Sequence, residues 1–252
     1  MAKPAKTVEH HFGLHAVESL LGSMPEQILG LFVLQGREDE RLNALIKLAE
    51  PHGISVQKAS RDTLSRLAEG GQHQGIVAAV RPAPVSDEGD LARLVESTPN
   101  VFLLALDQVT DPHNLGACMR TAAAMGVHGI IAPRDRAAGL TPVARKVAAG
   151  AADVTPFFQV TNLVRTLVAI QELGVFSVGT MLDENAKPLH QVDLTGKLVI
   201  VMGAEDTGLR RLTQETCDQL AYIPMSGKLQ SLNVSVAAGM AVYEACRQRQ
   251  PA

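Results

Sequence analysis

The residues that could do chemistry follow three apolar runs of the sequence. The run VFLLALD leads into a loop and a helical stretch that carry Asn114 and Arg120. KLVIVMG is followed by Glu205, and LAYIPM leads into SGKLQSLNVSVAAG, which carries Ser231 and Asn233. A strand that ends in a loop of small and polar residues, which then opens a helix, is typical of ligand-binding sites. The coincidence of three such strand ends indicates one shared site.

Each of these segments also fits an ordinary structural role. Asn114 suits the N-cap of the helix that follows it, and Ser231 or Asn233 could cap the final helix. Glu205 would stand where a helix begins, and an acid there is favoured by the helix dipole. Taken singly, no segment decides between capping and function.

Strands that are apolar throughout alternate with helical segments over the C-terminal part of the chain. Helices are predicted at NLGACMRTAAAMG (114–126), TPVARKVAAGAA, NLVRTLVAIQELG and the final SLNVSVAAGMAVYEACRQRQ. Such strands are typical of a parallel sheet that helices cover on both faces. Ligands bind beyond the carboxyl ends of the strands in such sheets. The three polar segments lie at those ends.

The final helix carries a spacing that predicts its buried face. Val236, Met240 and Tyr243 stand at i, i+4 and i+7, so we expect them to be buried. Small residues lie between them and would allow close approach to another helix or chain: Ala237, Ala238, Gly239 and Ala241.

A first unit of about 70 residues, a small α/β unit, is predicted before Arg81. HAVESLLGSM and EDERLNALIKLAEPHG have helical spacing, whereas ILGLFVLQG and GIVAAVRP are predicted strands. The composition changes at RPAPVSDEGD (81–90), where two prolines, one glycine and three acids favour neither strand nor helix. This stretch predicts a linker.

Composition excludes several classes of protein. The net charge of -3 argues against a uniformly basic nucleic-acid binder, and an aromatic content of 3% is low for one that stacks bases. Three scattered cysteines without a C-x-x-C pair indicate a reducing compartment. Neither a signal peptide nor an apolar run of membrane-spanning length is present in the sequence. We therefore expect a soluble cytoplasmic protein.

Several alternative sites are disfavoured by their surroundings. His11 and His15 have helical i, i+4 spacing, but Gly13 lies between them and no second ligand cluster supports a metal site. Cys118 lies in an apolar helix without a flanking base. The turn after VFLLALD contains only Gly116, so the glycine fingerprint of a nicotinamide-binding enzyme is missing. We expect no metal.

The three polar segments together resemble the three motifs of the SpoU/TrmH class of RNA ribose 2'-O-methyltransferases, within the SPOUT superfamily. The first motif appears as NLGACMRTAAAMGV, with Asn114, Gly116, Arg120 and Gly126. The second appears as LVIVMGAEDTGL, with Gly203, Glu205 and Gly208. The third appears as IPMSGKLQSLNVSVAAGM, with Pro224, Ser231, Leu232 and Asn233. The three occur in the family's order and with its spacing.

The resemblance covers nearly the whole chain and extends to FGLHAVESLL, HQGIVA and LDQVTDPHNLGAC. It implies an α/β protein with an L30e-like substrate-binding domain at 9–84, a linker at 85–98 and a SPOUT methyltransferase domain at 99–249. The latter would be a parallel sheet with a C-terminal trefoil knot, and the protein a homodimer. The members that this sequence resembles most methylate a guanosine ribose in the peptidyl-transferase P loop of 23S ribosomal RNA.

The resemblance also implies site residues and a cofactor. The catalytic group would be Asn114, Arg120, Glu205, Ser231 and Asn233. S-adenosylmethionine would lie against Thr180, Gly203, Ile223, Met225 and Leu232. Contacts to RNA would come from Arg134, Arg136, Arg145, Lys146 and Lys228. On charge alone, the basic residues between 134 and 146 also fit a solvated helix face.

The role of Arg120 stays open at this stage. The family pattern suggests a general base for the ribose hydroxyl, whereas a guanidinium is effectively never deprotonated in proteins. An electrostatic clamp on a phosphate or on the developing alkoxide is the alternative.

Two further alternatives concern the substrate and the activity. The same chemistry could act on a transfer RNA or another ribosomal RNA site, and a non-catalytic RNA-binding assembly factor could keep the fold. The sequence differs from the members it resembles most at Asp206, Thr207 and Lys228–Gln230. The last three residues are the candidates for tuning RNA contacts.

Overall fold

The computed structural model describes residues 8–37, 39–81, 86–205, 207–227 and 231–250. The chain divides into two compact units, Met1–Pro84 and Val85–Ala252. Each unit has a sheet and hydrophobic clusters of its own.

In its described residues, the N-terminal unit is a four-stranded sheet with three α-helices. Its elements are β1 (Glu9–Phe12), α1 (Leu14–Ser23), β2 (Ile28–Leu34), α2 (Glu40–Ala49), β3 (Val56–Ala59), α3 (Arg61–Leu67) and β4 (Ile76–Val80). The strand order is β1-β4-β2-β3, with β4 antiparallel to both β1 and β2. The predicted helices and strands are present, whereas β1, β3 and α3 had no prediction.

The C-terminal unit contains the longer alternation of strands and helices. Its elements up to the middle are α4 (Glu88–Ser97), β5 (Phe102–Leu106), α5 (Pro112–Ala124), β6 (Gly129–Pro133), α6 (Pro142–Ala148), α7 (Ala151–Val154) and β7 (Phe157–Val160). The remaining elements are α8 (Leu163–Glu172), β8 (Phe176–Thr180), β9 (Lys187–Pro188), β10 (Leu198–Met202), α9 (Arg211–Thr216), β11 (Gln219–Tyr222) and α10 (Val234–Arg249).

The seven strands of this unit form one sheet in the order β7-β6-β5-β10-β8-β11-β9, and all neighbouring strands are parallel. The prediction of a parallel sheet is therefore confirmed. Strand β10 lies between β5 and β8, although β6 and β7 come between them in the chain. The order of strands does not determine whether the chain passes through a loop, so the trefoil knot stays a prediction.

Alternate residues of the central strands enter two different hydrophobic clusters, as the period of a strand requires. Phe102, Leu104 and Leu106 of β5 pack with residues of α5, α6 and α10 on one face. Leu103 and Ala105 pack with residues of α4 and α8 on the other face. Helices therefore cover both faces, which explains why these strands are apolar throughout.

The stretch 85–98, expected to be a linker, contains helix α4. Its start is fixed by a capping box: the Asp87 side chain accepts hydrogen bonds from the backbone N–H groups of Gly89 and Asp90, and Asp90 accepts one from Asp87 N. Leu91 and Val95 are buried against the sheet. Two of the three acids that suggested a linker, Asp87 and Asp90, are therefore the capping residues of a helix.

Two other helices begin or end differently from the prediction. Helix α5 begins at Pro112 and its N-cap is Asp111, whose side chain accepts a hydrogen bond from His113 N at 2.9 Å. Asn114 is thus inside the helix and not its cap. The helix predicted at TPVARKVAAGAA is two helices, because Ala149 and Gly150 have φ angles of +50° and +91° and end α6.

The prediction for the buried face of α10 is wrong. Val236, Met240 and Tyr243 are 52%, 46% and 59% exposed. The buried residues of this helix are Val234, Ala238, Ala241, Val242 and Ala245. Small side chains face α5 because the two helices pack closely, with Gly239 facing Thr121. The larger apolar side chains are left on the surface. We call Val236, Met240 and Tyr243 the outer face of α10.

No helix in the described part of the chain is both long and apolar enough to cross a membrane.

Candidate functional site

A cavity of about 400 Å³ opens at the carboxyl ends of the neighbouring strands β8, β10 and β11. Its lining comes from the segments that follow these strands and from the start of α10: Thr180, Met181, Leu182, Met202, Gly203, Ala204, Glu205, Thr207, Gly208, Tyr222, Ile223, Met225, Ser231, Leu232, Val234 and Ala237. This volume lies within the range of about 300–1,000 Å³ that is usual for small-molecule sites.

The structure brings most of the predicted site residues together at this cavity. Among its lining residues are those expected to hold a cofactor: Thr180, Gly203, Ile223, Met225 and Leu232. Glu205 and Ser231 of the predicted catalytic group also line it. The sequence did not point to Met181, Leu182 and Tyr222, which lie directly at or after the ends of β8 and β11. Position after a parallel strand is the signal that could have found them.

The loop between β10 and α9 folds back on itself beside the cavity. Ala204 and Gly208 exchange two backbone hydrogen bonds of 3.2 Å and 2.9 Å. A Cβ atom at Gly203 would stand 2.2 Å from the carbonyl carbon of Gly208, so only glycine fits there. Gly208 itself has a φ of +65°, in the left-handed region. The two motif glycines therefore fix the shape of the loop that carries Glu205.

Asp107 holds both ends of this loop. It follows β5 directly, has no exposed surface, and donates its backbone N–H to the carbonyl oxygen of Met202 at 2.8 Å. Its carboxylate accepts hydrogen bonds from Arg210 N at 3.1 Å and from Arg210 Nε at 2.7 Å, and it lies 2.6 Å from a terminal guanidinium nitrogen of Arg210. We call this pair the Asp107–Arg210 clasp.

Asn114, Glu205 and Asn233 form one hydrogen-bonded cluster, although they are far apart in the chain. Asn114 Nδ2 donates to Glu205 Oε1 at 2.9 Å, and Asn233 Nδ2 donates to Asn114 Oδ1 at 3.0 Å and also to Glu205 Oε1. The same carboxylate oxygen accepts a hydrogen bond from Val234 N at 3.2 Å. Glu205 thus belongs to both the cavity and the cluster.

The cluster also corrects one expectation about Glu205. This residue lies in a turn and not at the start of the next helix in the chain, because α9 begins only at Arg211. It stands instead at the start of α10, where it accepts from the first helical N–H. An acid there is favoured by the helix dipole. Asn233 is the N-cap of α10, as predicted for Ser231 or Asn233, and accepts from Ser235 N at 3.0 Å.

Arg120 lies on α5 with an exposed side chain. It is six positions after Asn114, which places the two side chains about 120° apart around the helix axis. The hydrogen bonds of the cluster, as far as the described residues go, do not include Arg120. The neighbouring Thr121 faces Gly239 of α10.

The predicted RNA-contacting residues fall into three groups. Arg134, Arg136 and Lys146 are exposed, and the first two directly follow β6 at the carboxyl edge of the sheet. Arg145 is different: its side chain is 13% exposed and lies 3.5 Å from Asp153, so it is largely withdrawn from a ligand. Lys228 lies outside the described residues, as do Asp206, Leu229 and Gln230.

The surroundings of Cys118, His11 and His15 bear on whether these residues could be a nucleophile or metal ligands. Cys118 is buried, and burial, followed by the negative charge of Glu205, raises the pKa of its thiol to about 12. A thiol of that pKa is a poor nucleophile at neutral pH. His11 lies in β1 and His15 in α1, so they do not share a helix face. The described residues contain no group of three or more potential metal ligands.

Comparison with known proteins gives matches along nearly the whole chain. Residues 101–243 match the SpoU rRNA Methylase family, and residues 12–86 match the domain described as RNA 2'-O ribose methyltransferase substrate binding. The chain is 64% identical to the 23S rRNA (guanosine-2'-O-)-methyltransferase RlmB of Acinetobacter baylyi, over 99% of both chains. It is 50% identical to the enzyme of the same name from Escherichia coli strain K12, over 94% of this chain and 98% of that one.

Among solved structures, the SpoU methyltransferase AviRb from Streptomyces viridochromogenes, in complex with the cofactor AdoMet, has the same fold. The TM-score is 0.78 at 22% sequence identity, over 95% of this chain and 89% of that one.

The cluster geometry predicts the stability of a Glu205→Ala variant. The substitution removes the acceptor of three donors, among them the partly buried N–H of Val234. We expect the free energy of unfolding, measured by urea denaturation, to fall by about 1–3 kcal/mol. Glu215→Ala is the matched control, because Glu215 is half exposed and pairs across the surface with Arg211. Equal stability losses in both variants would contradict the role given to the cluster.

Proposed function

Because the chain belongs to the SpoU rRNA methylase family, we propose that it methylates the 2'-hydroxyl of a guanosine ribose in the peptidyl-transferase P loop of 23S ribosomal RNA, with S-adenosylmethionine as the methyl donor. The near full-length relatives are named as 23S rRNA guanosine-2'-O-methyltransferases. One observation carries the proposal: the cavity and the Asn114–Glu205–Asn233 cluster share Glu205.

The cavity fits S-adenosylmethionine in size and in chemical character. Ile223 and Leu232 offer apolar surface to an adenine ring, and Gly203 leaves its backbone accessible at the end of β10. Backbone groups beyond Thr180 and Met225 would hold the polar atoms of the nucleoside. When bound, S-adenosylmethionine supplies the methyl group that is transferred. Since this ligand has no pyrophosphate, the site does not require the glycine fingerprint of a dinucleotide fold.

The cluster beside the cavity would orient the ribose. Methyl transfer to an oxygen is an in-line displacement, so the alignment of the hydroxyl accounts for much of the rate. Glu205 fixes the amides of Asn114 and Asn233 by accepting a hydrogen bond from each. Ser231, which lines the cavity with an exposed side chain, adds a hydroxyl that can donate or accept.

Arg120 would stabilise negative charge in the site and would not act as a general base. A guanidinium is effectively never deprotonated in proteins, so this group is poorly suited to take a proton from a hydroxyl. It can donate to an RNA phosphate, and it can stabilise the negative charge that develops on the ribose oxygen as the hydroxyl passes its proton to solvent water. We therefore assign Arg120 to the electrostatic clamp.

The exposed cations beyond β6 would contact the RNA backbone. Arg134 and Arg136 follow a strand next to β5 in the sheet, and Lys146 lies on α6, which packs against α5. Arg145 contributes less, because it faces Asp153. Lys228 is part of the proposal on sequence grounds alone. A ribosomal RNA substrate implies a cytoplasmic location, which is also part of the proposal.

We further propose that the protein acts as a homodimer through the outer face of α10. The outer face is a contiguous group of three exposed apolar side chains, whereas single exposed apolar residues are common on protein surfaces. Contiguous exposed apolar patches mark interaction sites. Arg120 lies on the helix that packs beside α10, next to the Thr121 that faces Gly239. A second copy on this face would lie close to Arg120, so each copy could complete the site of the other.

The substrate assignment predicts where the methyl group goes. Purified protein with tritiated S-adenosylmethionine should methylate 23S ribosomal RNA that lacks the modification, and mass spectrometry of nuclease fragments should locate the label on a guanosine ribose in the P loop. A fragment with 2'-deoxyguanosine at the target is the matched control, since it lacks the nucleophile. Methylation of transfer RNA instead, or of a base, would overturn the assignment.

The clamp predicts the effect of replacing Arg120. Arg120→Ala should reduce methyl transfer by on the order of 100- to 1,000-fold, because a donor to developing charge is lost. Arg165→Ala is the control: Arg165 is an exposed arginine on α8, a helix that packs on the other face of the sheet. S-adenosylmethionine affinity and melting temperature should match the wild type in both variants. Wild-type turnover in Arg120→Ala would contradict the clamp.

The dimer predicts the effect of a charge on the outer face of α10. Met240→Glu should convert the dimer to a monomer in size-exclusion chromatography with light scattering, because the carboxylate would be buried without a partner. Val168→Glu provides the control, since Val168 is 43% exposed on α8, on the other side of the sheet. A wild-type protein that is monomeric at micromolar concentration would refute the dimer.

A further inference from the structure

We infer that Asp107 and Arg210 are positioning residues for the methyl transfer: the Asp107–Arg210 clasp holds the described loop residues 203–205 and 207–209 in a conformation in which Glu205 reaches both the cavity and the two asparagines. The inference rests on the function proposed above. Neither residue lines the cavity, so both would act through Glu205 and the loop backbone.

The clasp closes the loop at both of its ends. The residue before the loop is Met202, whose carbonyl oxygen accepts from the backbone N–H of Asp107. The residue after the loop is Arg210, whose backbone N–H and guanidinium both donate to the Asp107 carboxylate. One residue at the end of β5 thus fixes the entry and the exit of a loop that lies over 90 residues further along the chain.

The burial of Asp107 makes this arrangement specific. Its carboxylate has no exposed surface, and a buried carboxylate requires a partner that supplies charge and hydrogen bonds. Two nitrogens of the Arg210 guanidinium, Nε and a terminal nitrogen, both contact Oδ1 of Asp107. The other carboxylate oxygen, Oδ2, accepts from the backbone N–H of Arg210. A lysine ammonium could not reproduce the planar pair of contacts to Oδ1. Arg210 itself is 41% exposed, so it could leave toward solvent if Asp107 did not hold it.

The chain is also constrained immediately after Asp107. Gln108 has a φ of +61°, which is uncommon for a residue other than glycine and costs free energy. Such a conformation persists only where the surrounding structure determines it. The turn after β5 is therefore held in place together with the clasp.

Besides the clasp, the described contacts of the loop include the Ala204–Gly208 pair, the hydrogen bonds that Glu205 accepts and the buried side chain of Leu209. Gly203 and Gly208 have wide backbone freedom, and the pairing of Ala204 with Gly208 spans only five residues. Loss of the clasp would let the loop sample other conformations, and Glu205 would leave the position from which it contacts Asn114 and Asn233. A displacement of about 1 Å in a positioned group can lower a rate on the order of 100-fold.

The test compares Arg210→Ala, Arg210→Lys and the control Arg211→Ala. Arg211 is the next residue in the chain, but its partner Glu215 lies on the surface, and the two side chains are 80% and 55% exposed. For each variant we would measure the affinity for S-adenosylmethionine by calorimetry, kcat and KM for RNA, and hydrogen exchange in the peptide that covers 203–210, all well below the melting temperature.

We expect Arg210→Ala to lower kcat on the order of 100-fold, to weaken S-adenosylmethionine binding and to speed exchange in the loop, while KM for RNA stays at the wild-type value. Arg210→Lys should restore part of kcat, because an ammonium group still pairs with Asp107. Arg211→Ala should match the wild type in every measurement. If Arg210→Ala does not fold, reduced kcat with unchanged KM for RNA in Arg210→Lys supports the inference.

Two results would overturn the inference. The first is an Arg210→Ala variant that melts earlier but keeps the wild-type kcat and loop exchange, because the pair would then serve stability alone. The second is an equal loss of kcat in Arg211→Ala. Failure of the proposed function would look different: the wild-type protein would not methylate RNA at all, whereas the exchange of the loop would still report on the clasp.

Discussion

A carboxylate with no exposed surface lies at the end of the central strand β5, and its charge has to be balanced within the protein. Removing an ionised group from water is costly unless hydrogen bonds and an opposite charge replace the water. Asp107 obtains both from Arg210, and this requirement draws the end of the loop after β10 back against β5. That loop supplies part of the cavity wall and carries Glu205, and the buried pair joins its end to β5.

The sequence predicted the parts of the fold that depend on burial. Strands such as β5 and β10 are apolar throughout because helices cover both faces of their sheet, and this pattern is local. Helix α4 was missed because its capping acids, Asp87 and Asp90, have the composition of a linker and only their hydrogen bonds identify a helix start. The order of the strands has no local signal, since it depends on which strands meet after the chain has folded.

In the candidate site, too, features with a local sequence pattern were predicted and features that depend on the folded chain were not. The residue types at the strand ends indicated a shared site, and the motif resemblance selected Asn114, Glu205 and Asn233, which the structure brings within hydrogen-bonding distance of one another. Arg210 could not have been found in this way. Its partner lies 103 residues earlier in the chain, and an arginine in a polar loop resembles any solvent-exposed arginine. Arg145 was predicted to contact RNA for a similar reason. Its pairing with Asp153 depends on how α6 and α7 pack, and the sequence does not show that packing.

Helix α10 links the site to the surface on which we place the dimer. Its small residues face α5 and its large apolar residues face outward, so the helix is apolar on both sides. A helix that is apolar all round is usually buried all round. Glu205 accepts a hydrogen bond from the first N–H of α10, and Asn233 is the N-cap of this helix. A displacement of α10 would therefore change the hydrogen-bond distances within the cluster. Covering the outer face would restrain the helix along its length. In the proposed dimer, the contact on the outer face and the contacts proposed to orient the substrate would therefore act on the same helix.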